Sequence, residues 1–425
     1  MSGAQNDPSV PAKTGKWNLP RAVYWIAALA FALRIAARLW YTGIDGFWQT
    51  GYGFYFDLAQ GIAKDHVFGL GGSPTAYRVP LYSAFLAAIT LGERNFWAIE
   101  IAQSLIGAGI AIVAALLALR MFRGAEAKRA AMLAAAVVAV YPYFVIHDTA
   151  MQETSLFTLL TALVVLALYR AVETKSIADG ALAGLLLGLD VLTRATILPF
   201  AVLAPVWLFW RRGMRASVAC TLLLAATVSP WLARNAIEFG APVLSTDAGT
   251  ELWTAQCGFL FRHYPQESVD ISQSEDWALL TAQDNKELAA LGNDDVATDH
   301  WFLRKGMGCA LSHPGQTVVD GFRKNLAGFG WLPSPRRGWG NDLVNACTYG
   351  PVMLLGLWGM GMRRGHWRED SLIYLLFGAF IFTTAVFWAH TSHRVYLDLY
   401  WIVFGAGVVA GWRKPGGGNR EEKAG

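Results

Sequence analysis

About ten apolar runs of roughly helix length, separated by short basic loops, leave this chain one kind of fold. They lie near residues 23–41, 96–121, 130–146, 155–169, 178–193, 197–210, 216–232, 345–362, 372–388 and 395–412. A soluble domain cannot hide so much apolar surface. Of 425 residues, 54% are hydrophobic and 16% charged, and the mean hydropathy is +0.34. The expectation is an all-α polytopic membrane protein with about ten transmembrane helices. Residues 1–19 are polar and the first apolar run is long enough to stay in the bilayer, so no cleaved leader is expected.

One apolar run breaks the pattern. Residues 80–91 are only about a dozen long, where a spanning helix needs roughly 20. They follow a loop of aromatic and charged residues (42–73) and end at Gly92-Glu93-Arg94-Asn95. The segment therefore reads as a re-entrant or juxtamembrane helix beside a site. Charge supports this independently. If 80–91 does not cross, Arg120, Arg123, Lys128, Arg129, Arg170, Lys175, Arg211, Arg212, Arg215, Arg363, Arg364 and Arg368 share one face. Lys13, Lys16, Arg21, Arg413 and Lys414 of the termini join them. The positive-inside rule makes that face cytoplasmic, in a cytoplasmic (inner) membrane with both termini inside.

The implied organisation is a cytoplasmic tail (1–22), a membrane domain (23–232) with a first outer loop (42–95), a periplasmic loop domain (233–342), C-terminal spans (343–412) and a Gly-rich, charged, disordered tail (413–425). Cys257 and Cys309 both fall in the loop domain, where a disulfide and two free thiols are equally open readings. Cys220 and Cys347 lie in or beside spans and read as buried thiols. The net charge of +4 gives no reason to invoke nucleic acid.

Gly180, Gly184 and Gly188 recur every four residues and should give a flat face for close helix packing. There is no Walker sequence, no Gly-x-Ser-x-Gly and no Cys/His spacing suited to zinc. What remains is a ring of polar residues at the outer ends of spans: Arg34, Arg38, Asp45, Asp57, Tyr77, Arg78, His147, Asp148, Glu153, Asp190, Arg194, Arg234, Asn235, His390, His393 and Arg394. Ionisable groups at membrane depth usually face a cavity or each other. Plain structural readings exist for several. Asp190 and Arg194, spaced i, i+4, should form an internal ion pair. Arg34 and Arg38 should snorkel to the surface, and His147 and His390 read as interfacial polar residues. Convergence of the whole ring on one face favours a site.

These residues carry a resemblance. Tyr55…Ala59, Pro74-Thr75-Ala76-Tyr77-Arg78 with Pro80-Leu81-Tyr82, Gln103…Gly107, Tyr141-Pro142, Gln152-Glu153, Gly188…Thr193-Arg194, Pro230-Trp231…Arg234-Asn235, Phe239-Gly240 and His393-Arg394…Tyr396 occur in one order over about residues 25–410. That order resembles bacterial integral-membrane glycosyltransferases of the GT-C class, relatives of the protein O-mannosyltransferases and the lipid A aminoarabinose transferases. The resemblance implies sugar transfer from a polyprenyl-phosphate donor to an extracytoplasmic glycan, lipid or protein acceptor, with no cofactor or metal required. It also implies a catalytic acid just before the first-loop tyrosine, where this chain has Gly51-Tyr52-Gly53-Phe54. The nearest carboxylates are Asp57, the first candidate for the base, and Asp45. Arg78 and Arg394, then Arg234 and Arg194, are the candidates for holding the leaving phosphate. Glu153, Asp148, His147, Tyr77 and His393 are candidates for orienting the acceptor. Two other readings stay open: a transporter or flippase of lipid-linked sugars, and a non-catalytic assembly subunit.

Overall fold

The computed structural model describes residues 18–41, 47–48, 53–267, 269–330 and 338–411, and it is helical almost throughout. Asp45, the two tails and the Gly51-Tyr52 part of the first loop lie outside the described residues. The only sheet among those described is a two-residue antiparallel pair, Gly69–Leu70 with Ser73–Pro74.

Every predicted span has its helix. In chain order these are α1 (Arg21–Tyr41), then, after the first-loop helices α2 (Gly53–Gln60) and α3 (Leu81–Thr90), α4 (Phe96–Met121), α5 (Gly124–Val140) with its short continuation α6 (Pro142–Asp148), α7 (Thr154–Thr174), α8 (Ile177–Thr193), α9 (Leu198–Arg212) and α10 (Met214–Phe239). Helices α11 (Ala248–Gln256), α12 (Val269–Ser274), α13 (Ala282–Leu291), α14 (Asp295–Ser312) and α15 (Pro314–Gly328) build the outer unit, and α16 (Trp339–Met362), α17 (Trp367–Val386) and α18 (Val395–Val409) close the chain. By length and composition, five segments among the described residues can cross a membrane, or six if α5 and α6, bent by 55°, make one broken span. One of the five runs from Asp342 to Val386. It folds back on itself, because Phe329 meets both ends: its carbonyl accepts from the Tyr349 hydroxyl of α16 and its ring packs 5.1 Å from Phe380 of α17. Helix α10 continues to Phe239, seven residues past the predicted end of its span at 232.

The short segment is a ten-residue helix, α3. At 1.5 Å per residue it is about 15 Å long, half the hydrocarbon thickness. Its Tyr82, Leu86 and Ala87 are buried against Phe47, Tyr55, Phe56 and Ala59 of the first loop and Phe96 and Ile99 of α4. Leu91 (φ 53°) and Gly92 (φ 77°) turn the chain sharply, and the Asn95 side chain caps α4 by accepting from Ala98 N at 3.0 Å.

The basic loops meet at one end of the bundle. Arg120 pairs with Glu173 at 3.0 Å. Arg363 donates to Met121 O at 2.5 Å and pairs with Asp370 at 2.8 Å. Arg212 Nε donates to the Val172 carbonyl. These contacts join the ends of α4, α7, α9 and the α16–α17 turn, as the charge pattern requires if α3 does not cross.

The glycine row does what its spacing predicts. A Cβ at Gly180 would lie 2.7 Å from Ala216 O, one at Gly184 would strike the Cys220 carbonyl, and one at Gly188 would lie 2.5 Å from Thr227 Cβ. α8 and α10 therefore touch backbone to backbone. In the outer unit α11 packs on α14 around Trp253, Trp301 and Phe302. Cys257 and Cys309 are joined in a disulfide between these helices, with Cα atoms 5.1 Å apart.

Three sequence expectations are corrected here. Cys220 is buried as expected, but Cys347 is exposed on α16. Arg34 and Arg38 do not snorkel: both are buried. Arg34 pairs with Asp148 at 2.6 Å and donates to the carbonyls of Ala30 (2.9 Å) and Ala139 (3.1 Å). Gly107 makes room for this, since a Cβ there would collide with Arg34 Nε and Asp148 Oδ2. The Gln103 amide closes the same joint by donating to the carbonyls of Asp148 (2.9 Å) and Ala150 (2.7 Å). Asp190 and Arg194 form no ion pair either. Arg194 is the C-cap of α8 with extended backbone (φ −152°, ψ 116°), so its side chain leaves the helical i, i+4 track. Asp190 instead accepts from Thr161 Oγ1 at 2.9 Å.

Candidate active site

At the end of the bundle opposite the basic loops, the outer unit clamps the first loop. Thr246 N donates to Ala76 O at 2.9 Å, Thr75 Oγ1 to Asp295 Oδ2 at 3.0 Å, and Arg234 Nη1 to Thr75 O at 2.9 Å. These bonds fix the backbone around Arg78. Its Nη1 pairs with the carboxylate of Asp247, which also accepts from Ser245 Oγ at 2.7 Å. The guanidinium lies 4.8 Å over the Tyr77 ring and keeps 30% of its side chain exposed. Burial opposes its charge, but Asp247 more than offsets this and holds its pKa above the ordinary arginine value.

A second arginine comes from the end of α8. Arg194 Nη2 and Nε reach Glu153 Oε1 at 2.6 and 3.0 Å, and Nη2 also donates to Thr154 Oγ1 at 3.1 Å. Tyr55, on α2, lies beside the same Glu153. Against burial, which raises it, the adjacent Arg194 holds the Glu153 carboxyl below the usual range.

The loop between α17 and α18 supplies rings. His390 and His393 lie 4.1 Å apart, each within 6 Å of Trp388 (5.7 and 5.5 Å). Burial first, then His390, Arg194, Arg78 and His147, holds His393 neutral, far below the ordinary imidazole value. His147 is buried with its Nδ1 against the Gln152 amide. The Trp388 indole donates to Glu251 Oε2 at 2.6 Å. Burial pushes the Glu251 carboxyl up to about 7, against the pull of Arg78.

Of the residues singled out in the sequence, Arg78, Tyr77, Arg194, Glu153, His147 and His393 are brought together. Others are not. Asp57 sits two residues from Tyr55, about 200° around the helix, and is exposed where Tyr55 is buried. Asp148 is committed to Arg34 inside the bundle. Arg394 is fully buried in an internal pair with Asp398 at 2.8 Å, stacked 3.3 Å over Tyr349. Arg234 is bound to the carbonyls of Thr75 and Phe68. Asp247, Glu251 and Trp388 were not anticipated. The acids of the outer unit look like solvated loop charges in sequence, and nothing marks these two until the fold turns them inward. No group of three His, Cys, Asp or Glu among the described residues is arranged to hold a metal ion. A cavity of about 690 Å³ lies elsewhere, beside the disulfide and lined by Trp301, Arg304 and His313.

The described residues thus form a helical bundle with a short first-loop helix and an ionised cluster where that loop meets the outer unit. Residues 78–233 match the family model for dolichyl-phosphate-mannose-protein mannosyltransferases, which supports a membrane glycosyltransferase of the GT-C type. The stretch includes Arg78, Glu153 and Arg194 and stops before the outer unit. No curated protein matches the chain.

Proposed function

We propose that the protein moves a sugar from a polyprenyl-phosphate donor to a hydroxyl of an extracytoplasmic glycan, lipid or protein. The observation that carries this is the pairing of Arg78 and Arg194 with carboxylates from other elements at one partly open junction. Nucleotide sugars are absent outside the cytoplasm, so the donor is lipid-linked, its phosphate at the junction and its isoprenoid tail along the helices. Arg78 holds the leaving phosphate, because a planar guanidinium matches its oxygens and stays charged when partly dry. Arg194, oriented by Glu153, is the second cation. His147, His393 and Tyr77 border the acceptor. Arg234, bound to two carbonyls, and Arg394, paired with Asp398 through Nη1 in the interior, fasten the fold around the site. A carboxylate must also take the acceptor's proton. Asp57 and Asp45 carry that role in the sequence reading; Asp57 is not among the carboxylates beside Arg78, and Asp45 lies outside the described residues. In this reading the basic end faces the cytoplasm and the disulfide-bearing unit an oxidising periplasm.

The test is release of polyprenyl phosphate from mannosyl- and glucosyl-phosphoryl-polyprenol in proteoliposomes. Arg78→Ala should lower the rate on the order of 10- to 100-fold, as expected for a lost charge-assisted contact. Arg78→Lys should recover part of it. An unchanged rate in Arg78→Ala removes the phosphate assignment.

A further inference from the structure

We propose that Glu251, carried into the site by the outer unit, is the catalytic base that takes the proton of the acceptor hydroxyl. This rests on the sugar-transfer reading above.

Three carboxylates stand beside Arg78 or Arg194, and one of them is free to act. Both oxygens of Asp247 are engaged, Oδ2 by Arg78 and Oδ1 by Ser245. Glu153 takes two bonds from Arg194, whose charge holds it ionised below the usual range, and a carboxylate so held is a poor proton acceptor. Glu251 accepts at Oε2 from Trp388 alone, and its Oε1 has no hydrogen-bond partner among the described residues. It is half-buried, so that oxygen faces the opening and not the core. The indole bond fixes the carboxylate plane and presents Oε1.

The helix that carries Glu251 is rigidly held, as a catalytic group requires. Gly249 N donates to Asp299 Oδ1 at 2.6 Å, and Gly249 has no room for a Cβ against Asp299 O. Lys324 Nζ donates to Ala255 O at 3.4 Å, while Gln256 reaches the Val386 carbonyl just before Trp388. Thr254 bonds Asp276. The outer unit thus brings one acid beside Arg78. This chain has no acid at Gly51 to Phe54 and Asp57 is exposed, so Glu251 supplies a carboxylate that the chemistry needs.

In the step, the acceptor oxygen bonds to the anomeric carbon as the bond from that carbon to the phosphate oxygen breaks. The hydroxyl proton passes to Glu251 Oε1 and then to water, and polyprenyl phosphate leaves against Arg78. The groups facing Glu251 are Arg78 and Tyr77 from the first loop and Asp247 and Asp276 from the outer unit, with neutral Trp388 from the α17–α18 loop. Burial leaves the carboxyl titrating at about 7, near the ideal for a base working at neutral pH. The base form is the active one, so kcat/KM should climb with a limb near pH 7.

The experiment compares wild type, Glu251→Gln and Glu251→Asp in proteoliposomes with mannosyl- and glucosyl-phosphoryl-polyprenol, following lipid-phosphate release from pH 5.5 to 8.5. Glu251→Gln should lose roughly 100- to 10,000-fold in kcat with donor KM within a few-fold, and should lose the acid limb. Glu251→Asp should keep the limb at reduced rate. Glu251→Gln turning over normally with its limb intact overturns the assignment, as does a change confined to KM. Loss in Asp57→Asn with normal Glu251→Gln also overturns it and gives the role to Asp57. Wild type that releases no lipid phosphate from either donor sinks the transfer reading itself, and the assignment with it.

Discussion

Breaking the Arg34–Asp148 pair from its two ends should give unequal costs. Both side chains are buried, Nε to Oδ2 is 2.6 Å, and the other guanidinium nitrogens spend themselves on the carbonyls of Ala30, Ala139 and Val138. Asp148→Leu leaves a guanidinium that cannot shed its charge, hydrogen-bonded to carbonyls alone. The penalty for such an orphan is about 3–5 kcal/mol. Arg34→Met leaves a carboxylate, which can take a proton. Protonating an ordinary aspartate at pH 7 costs roughly 4 kcal/mol, which caps the loss from that side. The double variant Arg34→Met/Asp148→Leu removes both charges and should lie near wild type, because apolar replacement of a buried pair is often neutral. The assay is the apparent melting temperature of the detergent-solubilised protein. At roughly 1–2 °C per kcal/mol for a chain this long, Asp148→Leu should fall on the order of 5 °C, Arg34→Met no further than that, and the double less than either. Additive losses in the double would show that the charges are not coupled and would refute the account of Gly107 as the space that admits them. The double should also keep its transfer rate, since neither residue borders Arg78; a lost rate in a well-folded double variant would return Asp148 to the site.

Two further outcomes are expected. Gly184→Val should destabilise the protein by about 1–3 kcal/mol or abolish its accumulation, since even a Cβ there meets the Cys220 carbonyl, whereas Gly378→Ala, with open space around it, should be near neutral in the same melting assay. In a variant lacking native cysteines, an impermeant thiol reagent should label a cysteine at Asn95 and spare one at Gly124 in intact cells; the opposite pattern would mean that α3 crosses the membrane.

The parts of this structure that were legible in sequence are those set by local periodicity and charge. An apolar run long enough to span gave a helix each time, and the four-residue glycine repeat gave a backbone-to-backbone contact. The dozen-residue run became a short helix because nothing on either side could extend it: Pro80 precedes it, and Leu91 and Gly92 leave right-handed space. Pairings were less legible. The i, i+4 rule assigned Arg194 to Asp190, but the rule holds only inside a helix, and Arg194 is the residue where the helix stops. Asp57 is the carboxylate nearest the first-loop tyrosine in sequence, yet residues two apart on a helix face opposite ways. Arg34 looked like a snorkelling residue until α1 turned that face inward.

The outer unit shows why the site itself was only half readable. Its membrane-side members, Arg78, Glu153 and Arg194, stand out because a charge at a span's end needs a reason. Asp247 and Glu251 sit in a polar segment where a carboxylate needs none, and only the clamp of Thr246 on Ala76 and of Asp295 on Thr75 brings them against Arg78. If the acid that the first loop lacks is supplied from across that clamp, the two halves of the site depend on each other. Loosening the clamp should then act on chemistry and not only on stability. Thr75→Val removes one hydroxyl that bonds Asp295 at 3.0 Å and also accepts from Tyr77 N at 3.0 Å. It leaves every charged group in place. It should lower kcat more than it raises donor KM, because Arg78 still meets the phosphate while Glu251 is less well aimed. A Thr75→Val variant that loses donor affinity with kcat intact would show that the clamp serves phosphate binding alone, and that the outer unit contributes no base.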